Sequence, residues 1–293
     1  MTMIRTTLCR VVGGAILLAL TLTGGAVLAD PLTDKITAVE ARLGGRIGVA
    51  MRDLASGQSW TYKADERFPL SSTFKALLGG AVLARVDARK EELARNISFS
   101  AEDLVSYSPV TEKHVESGMS VEALCEATIT VSDNSAGNLL LKTVGGPEGL
   151  TAFLRSIGDE TTRLDRWETA LNEGTPGDER DTTTPNAMLD TLNTLLFGDV
   201  LSEGSRKQLA DWMIADQVAD GLIRASLPKG WKIGDKTGAG GHGSRSIVAV
   251  IWPPEGGPVL AAIYINGNDA AFEVRNEAIA EIGAAMVAAI EAQ

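Results

Sequence analysis

Apolar positions at the two ends of the chain predict a β-sheet flanked by helices. Near the N-terminus they recur at the spacing of one helical face until Gly44-Gly45 stops the pattern, at Leu32, Ile36, Val39 and Leu43. Alternating apolar residues then predict two strands, over residues 47–51 and 59–62. Toward the C-terminus the pattern predicts strands over residues 231–236, 246–252 and 259–265, and a closing helix over residues 270–292. The turn-rich segment 253–258 is typical of a hairpin connection, so we expect an antiparallel sheet.

The middle of the chain, roughly residues 70–225, has mostly helical periodicity. The stretch 163–181 breaks this pattern because it is rich in charge, Gly and Pro, and a loop that long inside a compact domain is often functional. We therefore expect an α/β (α+β) fold, with an antiparallel sheet flanked by N- and C-terminal helices and an inserted all-helical lobe. The predicted division is an α/β lobe of residues 30–68 and 226–293 and a helical lobe of residues 69–225 that includes the 163–181 loop.

Residues 1–29 have the pattern of a secretory signal peptide. Arg5 and Arg10 give the positive region, residues 11–22 the apolar stretch, and residues 27–29 fit a small-residue cleavage site. An uncleaved anchor helix is disfavoured because the apolar stretch is short and contains glycines. We expect a periplasmic protein with no attachment to the membrane after cleavage.

Composition narrows the classes of partner and of site. The chain is 44% hydrophobic and 22% charged, as in ordinary soluble proteins, and its net charge of −11 disfavours nucleic acid or an anionic membrane as partner. Cys125 is the single cysteine after the predicted cleavage, so we expect a buried thiol and no internal disulfide. With only His114 and His242 besides, the sequence offers no zinc cluster. We expect no metal, no cofactor and a monomer.

Four short motifs carry the candidate chemistry, in the order Ser72-Thr-Phe-Lys75, Ser132-Asp133-Asn134, Glu168 and Lys236-Thr237-Gly238. Together they supply a nucleophile, two lysines, a second hydroxyl and a carboxylate, as acyl transfer followed by hydrolysis requires. Each alone has a plain structural explanation as a helix cap, a turn or a strand end. A second Ser-x-x-Lys, at residues 226–229, contains a proline that disfavours a shared helical face. Only the ordered combination points to a hydrolase site.

This joint pattern resembles the class A serine β-lactamases, members of the penicillin-recognising serine hydrolases. The Arg-Trp-Glu-x-x-Leu-Asn segment of residues 166–172 also matches, and the similarity runs from about residue 35 to 290. The resemblance implies a β-lactamase/transpeptidase-like fold. It also implies hydrolysis of the ring of penicillins and some cephalosporins through a serine-bound acyl-enzyme, which gives antibiotic resistance.

The resemblance assigns catalytic roles to specific residues. Ser72 would attack the lactam carbonyl, and the backbone N–H groups of Ser72 and Ala239 would hold the oxyanion. Lys75 would move protons, with Glu168 acting through a water as the other candidate base for acylation, a question that stays open. Ser132 would pass a proton to the departing nitrogen.

The resemblance also implies the substrate contacts. Lys236, Thr237 and Arg245 would hold the substrate carboxylate, and Asn134 the side-chain amide. Asn172 would position the hydrolytic water together with Glu168. Gly238 and Tyr107 complete the set of expected substrate-binding residues. An ion pair between Arg166 and Asp181 would anchor the loop that carries Glu168.

Two other functions share part of this motif set. A penicillin-binding transpeptidase or carboxypeptidase lacks the loop glutamate, so Glu168 argues against it. A penicillin sensor that stays acylated is normally joined to membrane helices, and none follows the predicted signal in the sequence.

Two departures from the family matter: Gly79 stands where some members pair a cysteine with Cys125, and Ser71 and Gly240 stand where carbapenem-hydrolysing members often carry a cysteine pair. The second departure argues against efficient carbapenem turnover.

Overall fold

The computed structural model describes residues 1 and 30–292, so the predicted signal peptide lies outside the described residues. Within residues 30–292 the chain forms nine strands: β1 (Arg46–Asp53), β2 (Ser59–Tyr62), β3 (Phe68–Pro69), β4 (Asn96–Ile97), β5 (Met119–Ser120), β6 (Thr182–Thr183), β7 (Lys232–Ala239), β8 (Arg245–Trp252) and β9 (Val259–Asn266). Five of them form one antiparallel sheet in the order β2-β1-β9-β8-β7, and β3 with β6 and β4 with β5 form two-stranded ladders.

The same residues form eight α-helices: α1 (Pro31–Leu43), α2 (Phe74–Asp87), α3 (Val121–Thr130), α4 (Asn134–Val144), α5 (Gly146–Ser156), α6 (Pro185–Phe197), α7 (Glu203–Ile214) and α8 (Phe272–Glu291). Helix α1 begins where the Asp30 carboxylate accepts a hydrogen bond from the Leu32 N–H, and it ends at Gly44, whose φ of 75° favours glycine.

The central sheet is buried on both faces. Alternate residues of β1 and β8, such as Met51 and Ile247, pack against α1 and α8 in one core. The residues between them, such as Ala50 and Val248, belong to a second core shared with α2 to α7. This explains why β8 reads as a continuous apolar run although the sheet is antiparallel.

The predicted fold class is confirmed: an antiparallel sheet lies between the terminal helices and a group of helices inserted between β2 and β7. The division into two lobes at residues 68 and 225 stays a prediction. The strand predicted over residues 231–236 corresponds to β7, which continues beyond the predicted end to Ala239. A side chain has little room inside it, since a Cβ on Gly238 would lie 2.5 Å from Ser246 Oγ and 3.0 Å from the Leu70 carbonyl oxygen. None of the helices within the described residues combines the length and the apolarity needed to cross a bilayer.

Candidate active site

A cavity of about 470 Å³ opens between the outer strand β7, the start of α2 and the start of α8. Its wall includes nine of the twelve site residues predicted from the sequence: Ser72, Tyr107, Ser132, Asn134, Asn172, Thr237, Gly238, Ala239 and Arg245. The other three, Lys75, Glu168 and Lys236, lie buried beneath this wall and contact its residues. The structure therefore brings the four distant motifs to one place.

Ser72 lies in a single 3₁₀ turn, Ser71–Thr73, which leads directly into α2. The Thr73 hydroxyl donates to the Leu70 carbonyl (2.6 Å) and fixes this turn. Ser71 has a φ of 42°, a left-handed conformation that is costly for a residue with a side chain. The strained turn and the first turn of the helix thus place Ser72 at the cavity and Lys75 beneath it.

Lys75 is fully buried, and its ammonium is surrounded by oxygen acceptors. Its Nζ donates to the Ser132 carbonyl (2.8 Å) and to Asn134 Oδ1 (2.5 Å), and it lies 3.1 Å from Glu168 Oε1. Burial lowers the pKa of Lys75, and the Glu168 carboxylate opposes that shift. The Lys75 side chain is therefore suited to exchange a proton with its neighbours.

Asp133 holds the Ser-Asp-Asn motif in place. Its buried carboxylate caps α4 at Ala136 N (2.9 Å) and accepts hydrogen bonds from the backbone N–H of Val110 and from the N–H and hydroxyl of Thr111. The preceding residue, Ser132, has a φ of 62°. Asp133 thereby orients the side chains on either side of it and takes no place in the cavity wall.

Glu168 is held by its backbone and by its side chain. Its N–H donates to Asn138 Oδ1 (2.9 Å) and its carbonyl accepts from Asn138 Nδ2 (3.0 Å), while Oε2 accepts from Asn172 Nδ2 (2.5 Å). The loop around it is closed by the predicted ion pair, which is confirmed: Arg166 Nε lies 2.5 Å from Asp181 Oδ2. Asp181 also accepts from the Arg166 backbone N–H (3.0 Å), so the two ends of the loop are fastened together.

Lys236 lies fully buried at the base of the cavity. Its Nζ donates to the Thr237 carbonyl (3.2 Å), and Asp216 Oδ2 is 3.9 Å away. Burial lowers the pKa of Lys236 to about 8, the Asp216 carboxylate opposes the shift, and the Lys75 ammonium adds to it.

Arg245 forms the far end of the wall. Its guanidinium donates to the Gly238 carbonyl (2.9 Å) and to Asn276 Oδ1 (2.7 Å), and its Cζ lies 5.0 Å from the centre of the Phe272 ring. Burial and the nearby Arg275 lower the pKa of Arg245 to about 10. The guanidinium therefore stays charged at neutral pH and is fixed on three sides.

The sequence did not indicate several residues that help to build this site. Val218, Phe272 and Asn276 line the cavity, and Asp216 lies beneath it. None belongs to a motif or a periodic face that would have identified it.

Residues 226–229, the second Ser-x-x-Lys, do not line the cavity, and Ser226 ends a short 3₁₀ helix there. No group of three or more His, Cys, Asp or Glu side chains in the described part of the chain is arranged to bind a metal ion.

The fold and this arrangement of Ser72, Lys75 and Glu168 define a serine hydrolase of the penicillin-recognising class. The model of the beta-lactamase enzyme family matches residues 31–290. An ancestral class A beta-lactamase is 57% identical, with 88% of this chain and 99% of that chain covered and a TM-score of 0.87. The "putative class A beta-lactamase PenP" from Rhodopseudomonas palustris is 52% identical, with 89% of this chain and 100% of that chain covered and a TM-score of 0.87.

The chain therefore belongs to the beta-lactamase enzyme family, and it is a class A serine β-lactamase. Its activity is the hydrolysis of β-lactams.

Proposed function

We propose that this β-lactamase hydrolyses penicillins and some cephalosporins through an acyl-enzyme on Ser72, and thereby protects the producing cell. One observation carries this proposal. The Glu168 carboxylate lies 3.1 Å from the Lys75 ammonium, with both side chains buried beside the Ser72 turn. A carboxylate in that position supplies a base for the water that releases the acyl group. A transpeptidase or sensor without it would remain acylated.

The first half-reaction is attack of the Ser72 hydroxyl on the lactam carbonyl. A proton leaves Ser72 toward Lys75 or, through a water, toward Glu168. Ser132 would return a proton to the ring nitrogen when the C–N bond breaks; its Oγ lies 3.4 Å from Lys75 Nζ and the residue lines the cavity, which supports this role.

The backbone N–H groups of Ser72 and Ala239 would hold the oxyanion. The Gly240 N–H donates across the hairpin to the Ser244 carbonyl (3.2 Å). Since successive residues of a strand point their N–H groups to opposite sides, the Ala239 N–H points away from β8 and toward the cavity. Ser72 contributes its N–H from the start of a helix, where backbone donors are unpaired.

The substrate carboxylate would bind to the cationic wall formed by Lys236, Thr237 and Arg245, beside the backbone of Gly238. Tyr107 and Asn134 would contact the opposite side of the substrate, with Asn134 donating to its amide. Because the protein as a whole is acidic, binding depends on these local charges and receives no help from long-range attraction.

Release of the acyl group would use a water held by Glu168 and Asn172. Asn172 Oδ1 is buried and has no hydrogen-bond partner among the described residues, and the buried Glu168 Oε1 has no hydrogen bond there besides its ion-pair contact with Lys75 Nζ (3.1 Å). Buried oxygens of this kind need a donor, and a water between them would meet that need and lie close to Ser72.

Replacement of the nucleophile tests the proposal. Ser72→Ala should abolish turnover of benzylpenicillin and of a chromogenic cephalosporin, measured by loss of the lactam absorbance, while the melting temperature stays near that of the wild type. Residual turnover near the wild-type rate would show that Ser72 is not the nucleophile. Expression of the wild type, but not of Ser72→Ala, in a susceptible host should raise the minimal inhibitory concentration of the antibiotics that it hydrolyses.

We also propose that the enzyme is exported to the periplasm and acts there as a monomer. The pattern of residues 1–29 supports export. Cell fractionation and N-terminal sequencing should find a mature chain that begins near Asp30. Light scattering should give the mass of one chain.

A further inference from the structure

Three ionisable side chains beneath the cavity have no part in the reaction described above. Asp216 follows α7, Asp235 lies on β7 next to Lys236, and Arg224 lies in the short helix before β7. The side chains of Asp216 and Asp235 are fully buried, and Asp216 Oδ2 is the anionic oxygen closest to Lys236 Nζ, at 3.9 Å.

Each of the two carboxyl groups has one oxygen with a hydrogen-bond partner and one without. Asp216 Oδ1 accepts from the Val218 N–H (2.7 Å), and Asp235 Oδ2 accepts from Arg224 Nε (2.7 Å). Asp216 Oδ2 and Asp235 Oδ1 are buried and have no partner among the described residues. Two ionised carboxylates would leave both oxygens as buried acceptors without a donor, whereas one proton carried by the pair supplies a donor.

The charges around Lys236 favour the same protonation state. Burial raises the pKa of Asp216, and burial together with Asp216 raises the pKa of Asp235 to about 7. Two like charges this deep in the protein do not both ionise below neutral pH. Facing Lys236, the two carboxyl groups favour the charged ammonium, while Lys75 and Arg245 disfavour it. The Arg224 guanidinium is paired with Asp235 Oδ2 and opposes the rise in the pKa of Asp235, so part of the remaining negative charge stays on Asp235.

We propose that Asp216 and Asp235 form one acid pair that shares a proton at and below neutral pH and then holds a single negative charge beneath Lys236. The pair consists of positioning residues: neither lines the cavity, and they act by keeping the Lys236 ammonium charged for the substrate carboxylate. This inference rests on the proposed function in so far as Lys236 binds that carboxylate.

The pH dependence of kcat/KM for benzylpenicillin tests the pair, because it reports ionisations of the free enzyme. In the wild type the alkaline limb should fall above about pH 8, as Lys236 loses its proton. At the pH of this limb both carboxyls are ionised, so Asp216→Asn and Asp235→Asn each remove one negative charge and should each move the limb toward neutral pH. The double variant removes both charges and should move it furthest, by more than about one unit, which is a tenfold loss of kcat/KM at high pH. Asp220→Asn, an exposed aspartate of the same segment, is the matched control.

The expected change is in KM, with kcat within about twofold of the wild type. An alkaline limb of the double variant that coincides with that of the wild type would refute the support of Lys236 by the pair. The methyl ester of benzylpenicillin, which has no carboxylate, should be insensitive to all three substitutions. If benzylpenicillin and its methyl ester were equally sensitive to the substitutions, the role proposed for Lys236 would be refuted. The protonation state of Asp216 and Asp235 would then be decided by NMR alone.

Carbon-13 NMR of the ligand-free enzyme, labelled at the aspartate carboxyl carbon, measures the pair directly. In the wild type the pair should take up one proton near about pH 7, and in each single variant the remaining carboxyl should be ionised at that pH. Two carboxylates that stay ionised from about pH 8 down to about pH 6 would overturn the proposal. This measurement needs no substrate and needs only the single variants, so it decides the question even if the double variant does not fold.

Discussion

Glu168→Gln separates the two half-reactions most sharply. The carboxylate has two close neighbours that carry N–H groups: the Lys75 ammonium lies 3.1 Å from Oε1, and Asn172 Nδ2 donates to Oε2 (2.5 Å). A glutamine offers one acceptor and one donor, so one of these contacts would bring two donors together. This clash of donors can be avoided because Asn172 Oδ1 is buried without a hydrogen-bond partner among the described residues. Rotation of the Asn172 amide lets Oδ1 accept a hydrogen bond from the new NH₂ group.

The cost to stability should therefore be small and the cost to deacylation large. One rearranged buried hydrogen bond costs about 1–3 kcal/mol, which lowers the melting temperature by several degrees. Loss of the base for the hydrolytic water should slow deacylation by about 10²- to 10⁴-fold. Attack by Ser72 should survive better, because loss of the Glu168 charge lets burial lower the pKa of Lys75 further and favours its neutral, basic form.

Rapid mixing with a chromogenic cephalosporin should show a burst of about one equivalent, followed by slow turnover. Intact mass measured after mixing with benzylpenicillin should show one added substrate, and peptide mapping should place it on Ser72. Glu179→Gln is the matched control, since Glu179 is an exposed carboxylate of the same loop, and it should turn over near the wild-type rate. Steady-state turnover of Glu168→Gln equal to that of the wild type, with no adduct, would remove Glu168 from its assigned role.

Other substitutions test the loop, the cationic wall and the thiol. Asp181→Asn removes the charge partner of Arg166 and should cost about 3 kcal/mol, seen as faster proteolysis of the 163–181 loop and a lower kcat. Phe272→Ala removes the ring stacked on Arg245 and should raise KM for benzylpenicillin about threefold to tenfold with kcat unchanged. Burial raises the pKa of the Cys125 thiol, so Ellman's reagent should label the mature enzyme only after denaturation.

Each of these predictions has its own control or contrary outcome. Glu179→Gln alters an exposed carboxylate of the same loop and should leave both proteolysis and kcat near the wild type. Val274→Ala removes an exposed apolar side chain two residues from Phe272 and should leave KM unchanged. Labelling of the thiol in the folded protein at the rate of the denatured protein would show that its site opens readily.

The sequence predicted the elements well where periodicity was strong. The helical face at Leu32 and Ile36 became α1, and the apolar runs near both ends became the strands of the central sheet. It misplaced the end of β7, because Gly238 reads as the end of a strand. In the structure that glycine lies inside the strand, where the Ser71–Thr73 turn comes too close for a side chain.

The motif residues of the site were predictable because the family arranges them in a fixed order along the chain. The residues that support them were not. Asn276 and Phe272 reach Arg245 from α8, and Asp216 reaches Lys236 from the end of α7. Such contacts arise when helices pack against the sheet, and no local spacing in the sequence records them.

Strand β1 lies between β2, its neighbour in sequence, and β9, which follows seven other strands along the chain. Arg46 is paired with Asn266, so β1 finds this second partner only after those seven strands have been synthesised. A contact between such distant residues forms late and slowly, because a very long loop must close first. The nascent polypeptide therefore cannot complete its sheet before β9 has been made, and fragments that stop before β9 should remain unable to fold.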